Sequence, residues 1–109
     1  MDHFSLSELL AAPSGQGQSY AEVLRVQALS AGVYELSAGS DDRQEPHSED
    51  EVYVVLRGRA NATVNGRTVA VDTGSMLYVP ARVPHHFHDI EQDLTVLVLF
   101  APAETIAPG

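Results

Sequence analysis

The sequence predicts an all-β domain, a sandwich or barrel of mostly antiparallel strands. Short β-prone runs recur from Tyr20 to Phe100, bounded by Gly, Pro and Asp-rich turns. Asn65-Gly66, set between two such runs, is a strong hairpin signal. The intervals between runs are too short for the helical crossovers that parallel strands need.

The elements follow in order. Ser5, with Glu8 three residues later, forms a capping-box pattern before Leu9-Leu10-Ala11-Ala12, so a short helix is expected there, ended by Pro13. Ser14 to Ser19 reads as a loop. Tyr20–Leu29 and Ala31–Ser37 are strand candidates, followed by a polar loop over Asp41–Pro46. Glu51–Arg57 is strongly β-prone and is closed by Gly58. Ala60–Val64 and Arg67–Val71 flank the Asn-Gly turn, and Asp72-Thr73-Gly74 makes another. Ser75–Val79 stops at Pro80, His85–Asp89 is short, and Leu94–Phe100 is long and apolar. The resulting organisation is a helix and loop over residues 1–19, a barrel over 20–102 and a tail over 103–109 that is expected to fray.

Glu51, Tyr53 and Val55 share one face of their strand; Val52, Val54 and Leu56 share the other. Both faces are substantially apolar. In so small a protein this implies a second covering layer, and a homodimer is expected.

The composition narrows the function. The 109 residues suit one domain with its own core. A formal net charge of −9 argues against nucleic acid and against anionic membrane surfaces. There is no Cys and no Lys, which removes thiolate ligands, disulfides and lysine Schiff bases. The first residues carry no signal-peptide pattern and no apolar run is long enough to span a bilayer, so a soluble cytoplasmic protein is expected. Gly15 and Gly17 lack the context of a phosphate-binding loop.

Chemistry enters with Glu45, His47, Glu51 and His85. The first three lie in one segment, Glu45-Pro46-His47-Ser48-Glu49-Asp50-Glu51. In extended chain, Glu45 and His47 point the same way, and Glu51 rejoins that face in the next strand. Imidazole and carboxylate donors suit a divalent ion of Fe, Mn, Ni, Co or Zn. Alternation puts His86 and His88 on the face opposite His85 and leaves Asp89 on the His85 face.

The spacing extends beyond these four. Gly39, five residues, Glu45-Pro46-His47, three residues, Glu51, six residues and Gly58 make one segment. Gly74, five residues, Pro80, one residue, Arg82, two residues, His85, three residues and Asp89 make the other. The two resemble the paired motifs of the cupins, G(x)5HxH(x)3–4E(x)6G and G(x)5PxG(x)2H(x)3N. The resemblance implies a double-stranded β-helix, a jelly-roll barrel with a metal inside. It places His47, Glu51 and His85 at three of the family's four ligand positions. Glu45 stands where the family has its first histidine, Arg82 where Gly is usual and Asp89 where Asn is usual.

Two roles for Glu45 follow. As a fourth ligand it would neutralise the centre; unligated, it would be free as a general base. Tyr53, two residues after Glu51, should face the cavity and is the other candidate for proton transfer. The expected function is metal-dependent action on a small organic molecule, of oxygenase, isomerase or lyase type. The alternatives are a ligand-binding or sensor domain with a structural metal, and a metal-free interaction domain.

Overall fold

The computed structural model describes residues 1–13, 19–42 and 45–105. Most of the loop expected over Ser14 to Ser19, the centre of the Asp41–Pro46 loop and the end of the tail lie outside the described residues. Helix α1 spans Leu6–Ala11, and Ser5 and Glu8 complete the capping box from both sides. Six strands follow: β1 Ser19–Val26, β2 Leu29–Leu36, β3 Asp50–Val64, β4 Arg67–Asp72, β5 Met76–Val79 and β6 His85–Ala101.

All pairings are antiparallel, in the order β1-β2-β6-β3-β4, with β5 on the same edge of β3 as β4 but nearer its start. The fold is a double-stranded β-helix with a short N-terminal helix. Asn65 and Gly66 both take positive φ, 50° and 81°, as a tight hairpin turn between β3 and β4 requires.

Three elements differ from the expectation. A two-residue turn at Gln27-Ala28 divides the first two strands, earlier than the composition suggested. Gly58 closes nothing: β3 runs through it as one strand of 15 residues. Gly58 has φ of 103°, and a Cβ there would fall 2.3 Å from the Asp93 carbonyl oxygen. It is a bulge at a point of close backbone approach, the use of strand glycine that most resembles a turn. The two runs expected within His85–Phe100 likewise form one strand of 17 residues, irregular around Asp89, where φ is 49°.

The interior is built by alternation. Tyr53 and Val55 of β3, Tyr34 and Leu36 of β2, and Leu94, Val96, Val98 and Phe100 of β6 are buried in one cluster with Phe87 and Val79. Buried Asp42 ties the wall together: its carboxylate accepts from the Tyr34 hydroxyl at 3.0 Å and from the Phe87 amide at 2.9 Å.

Candidate metal centre

Two backbone ties bring the halves of the site together. The Arg82 amide donates to the His47 carbonyl at 2.7 Å, and the Ala81 amide donates to Asp50 Oδ1 at 2.9 Å. The segment entering β3 is thereby clamped to the loop entering β6. Arg82 takes φ of 65°, the left-handed conformation that explains why glycine is usual at this motif position.

His47, Glu51 and His85 converge, with one donor atom from each lying within 4.8 Å of the others. Glu51 is 1% exposed, His85 is buried and His47 half-buried. His85 Nε2 lies 3.0 Å from Glu51 Oε1, and His47 Nε2 lies 4.0 Å from the same oxygen. Neither approach has hydrogen-bond geometry: both Nε2 atoms and both Glu51 oxygens are buried without a hydrogen-bond partner among the described residues. Buried polar atoms are nearly always paired, so four orphans converging on one point require an explanation. A cation could supply it, since all four are potential donors to a metal.

His85 is already oriented for ligation. Its Nδ1 sits 2.9 Å from the Val83 carbonyl, which fixes the proton there and leaves Nε2 bare. Burial disfavours the charged ring, but the Glu51 carboxylate and the Val83 carbonyl outweigh it and raise the His85 pKa. Aromatic rings frame the centre: Phe100 meets the His47 ring edge-on at 5.0 Å, and Tyr53 lies 6.0 Å from the His85 ring and packs edge-on against Phe87.

The other expectations fare differently. Glu45 is exposed and lies outside the converging group. The alternation that aligned it with His47 presumes a strand, yet β3 begins only at Asp50 and Pro46 separates the two residues. Tyr53 faces inward and is buried. His86 is exposed, as expected for the outer face. Asp89 is exposed too, because its positive φ interrupts the alternation; it pairs with His88 Nδ1 at 2.8 Å instead of supporting His85.

Glu104 is the residue the sequence reading missed. It was counted with the fraying tail, but is 2% exposed, and its Oε2 lies 3.9 Å from His47 Nδ1. Burial first, then the charges of Glu49 and Glu51, push its pKa up to about 7. Glu49 is also buried. Its hydrogen bonds from Ser48 and Thr105 overcome the burial penalty and hold its carboxyl below the usual range.

A barrel with two histidines and a glutamate inside, at this spacing, defines a class. The chain belongs to the cupin family, whose cupin domain profile matches residues 32–101. An uncharacterized protein of Streptomyces coelicolor is 48% identical over 105 residues, 96% of this chain and all of that one. Among solved structures, an RmlC-like cupin from Shewanella frigidimarina has a TM-score of 0.76 at 20% identity, covering 96% of this chain and 95% of its own. The DMSP lyase DddQ from Ruegeria pomeroyi has a TM-score of 0.78 at 20% identity, over 93% of this chain and 57% of its own. A salicylate 1,2-dioxygenase from Pseudoaminobacter salicylatoxidans has a TM-score of 0.73 at 21% identity, over 88% of this chain and 30% of its own. No helix among the described residues is long and apolar enough to cross a membrane.

Proposed function

We propose that this chain is a metal-dependent cupin acting on a small organic molecule, with His47, Glu51 and His85 as its protein ligands. The observation that carries the reading is the convergence of orphaned, buried donors from these three side chains. Two neutral imidazoles and one carboxylate leave a divalent ion with a net positive charge and with coordination positions not taken by protein. When bound, such an ion would polarise a substrate oxygen or lower the pKa of a bound water.

The chain's own residues do the rest. The Val83 carbonyl keeps His85 in the ligating tautomer, and Phe100 limits the rotation of His47. The buried rings of Phe100 against His47 and of Tyr53 beside His85, backed by Phe87, keep the medium around the donors poorly screening. Tyr53, beside His85, is our candidate for proton transfer to or from substrate, and exposed Glu45 is the second.

Lyase and dioxygenase chemistry both occur on barrels of this shape, as two of the structural neighbours are named for them. Fold alone does not choose between them. The deciding experiment loads the protein anaerobically with Fe(II), then follows O₂ uptake and product formation with a panel of small organic acids and phenols. Substrate-dependent O₂ uptake that Glu51→Ala abolishes supports an oxygenase; product without O₂ supports a lyase or isomerase. Tight metal binding with no turnover across the panel would argue for a ligand-binding role.

The proposal includes a homodimer. Val52 and Val54 are half-buried on the outer face of β3, and they pair with exposed Tyr78 and Met76 of β5 to form an apolar strip. Light scattering on the purified protein tests it; a monomer at all concentrations would reject it.

A further inference from the structure

Among the described residues, the two histidines of the centre are supported unequally. His85 has a backbone carbonyl on its Nδ1 side. The group that faces His47 Nδ1 is the Glu104 carboxylate, at 3.9 Å, while His47 Nε2 is turned towards Glu51. Glu104 Oε2 is itself buried without a hydrogen-bond partner among the described residues.

The chain carries Glu104 to this point by anchors that do not involve its side chain. After β6 the backbone turns back over the start of β2. The Glu104 amide donates to the buried Ser30 hydroxyl at 2.9 Å, and the Ala103 amide donates to the Gln27 carbonyl at 3.4 Å. Thr105 continues the contact by donating to Glu49 at 3.1 Å. Phe100 and Glu104, four residues apart, therefore address the same imidazole, one by its ring and one by its charge.

We propose that Glu104 is a positioning residue for the metal centre, whose carboxylate holds His47 as its Nδ1–H tautomer with Nε2 presented beside Glu51 and His85. The assignment rests on the metal reading above. A ligating histidine ordinarily gives its second ring N–H to a carboxylate or carbonyl, which fixes its orientation and makes it a better donor. His85 meets this requirement with Val83; for His47 the group on the Nδ1 side is the Glu104 carboxylate, which at 3.9 Å acts through its charge and not through a hydrogen bond. The residue is not a ligand, since it stands on the far side of the ring from the converging atoms.

The test compares wild type, Glu104→Gln, Glu104→Ala and Ser30→Ala as full chains. Nitrogen NMR of the metal-free proteins at alkaline pH, where the Glu104 carboxyl is ionised, reads the His47 tautomer, and titration with Co(II) alone at the same pH, followed by its visible spectrum, reads affinity. Glu104→Gln keeps the shape and an acceptor oxygen, so it folds and loses part of the effect. Glu104→Ala is expected to lose the tautomer preference and to weaken Co(II) binding by about 10–100-fold. Ser30→Ala keeps the carboxylate on a loosened anchor and is expected to shift both readouts the same way, by less. Wild type and both Glu104 variants with the same His47 tautomer and the same Co(II) affinity would overturn the assignment while leaving the centre intact. A wild type that binds no Co(II) would overturn the metal reading itself and this assignment with it.

Discussion

Glu51 Oε1 lies 3.0 Å from His85 Nε2, although the β3–β6 ladder pairs Glu51 with Phe100 and His85 with Val64, at opposite ends of the ribbon. Glu51 and Val64 are 13 steps apart on β3, which in a flat strand at ~3.3 Å per residue would be about 43 Å. The ribbon must roll on itself to close that distance. The register of the ladder shifts around Leu56, Gly58 and Ala60, where the bend is concentrated. The candidate metal site is thus a product of barrel closure, not of any local motif alone.

Closure depends on Gly58. Its φ of 103° suits no L side chain, and the Asp93 carbonyl occupies the place of a Cβ. Gly58→Ala is expected to cost about 1–3 kcal/mol or more in urea denaturation, because backbone on both strands has to move. An unchanged midpoint would mean that the bend does not need this conformation.

Glu51 should have opposite effects with and without metal. In the metal-free protein at a pH where His85 is neutral, its buried oxygens lack hydrogen-bond partners among the described residues, so Glu51→Gln is expected to raise the melting temperature there. With saturating metal the order reverses, since wild type gains about 2.7 kcal/mol at a metal concentration 100 times Kd and the variant gains little. Thermal melts with and without Co(II) check both halves.

The pH dependence of the metal-free protein follows from Glu104 and His85. Burial, then Glu49 and Glu51, raise the Glu104 carboxyl from 4.5 to about 7. Between these values the folded state holds a proton that the unfolded state has released, so stability falls as pH rises through the window. His85 acts in the same direction. Burial opposes its charge, but Glu51 and Val83 outweigh burial and raise its pKa, so its contribution is present on the acid side and lost as pH rises through the folded value. Denaturation midpoints are expected to be lower at the alkaline end of the window, by about 1–3 kcal/mol in total. Glu104→Gln is expected to flatten the curve; a wild-type midpoint that rises with pH would contradict this.

Glu45 is exposed and stands apart from the converging donors, so Glu45→Ala is expected to leave metal stoichiometry and Co(II) affinity unchanged. A loss of turnover in that variant, with the metal retained, would identify Glu45 as a proton carrier. A loss of metal would return it to the ligand set.

Much of this was legible in the sequence. The paired spacings around His47, Glu51 and His85 mark positions where successive turns of the barrel bring residues to one interior point, and spacing is what a sequence displays directly. Gly58 was visible but ambiguous, because glycine serves bulges and turns alike; the deciding neighbour, Asp93, is remote in sequence. Glu45 misled because alternation holds only inside a strand, and β3 starts later. Asp42 falls in the expected polar loop, Glu104 in the tail expected to fray, and nothing local singles out Glu49. Their burial is created by partners distant along the chain: Phe87 and Tyr34 for Asp42, Thr105 for Glu49, and Ser30 beneath the Glu104 backbone. No local pattern announces such contacts.

The most direct test of the central claim is elemental analysis of the purified full-length chain beside a His47→Ala/His85→Ala variant, each reloaded with Fe(II), Mn(II), Co(II), Ni(II) or Zn(II) and desalted. The account predicts one metal ion per chain in wild type and none in the variant, with both proteins folded by circular dichroism. A wild type that retains no metal after reloading, or a variant that retains as much as wild type, would contradict it.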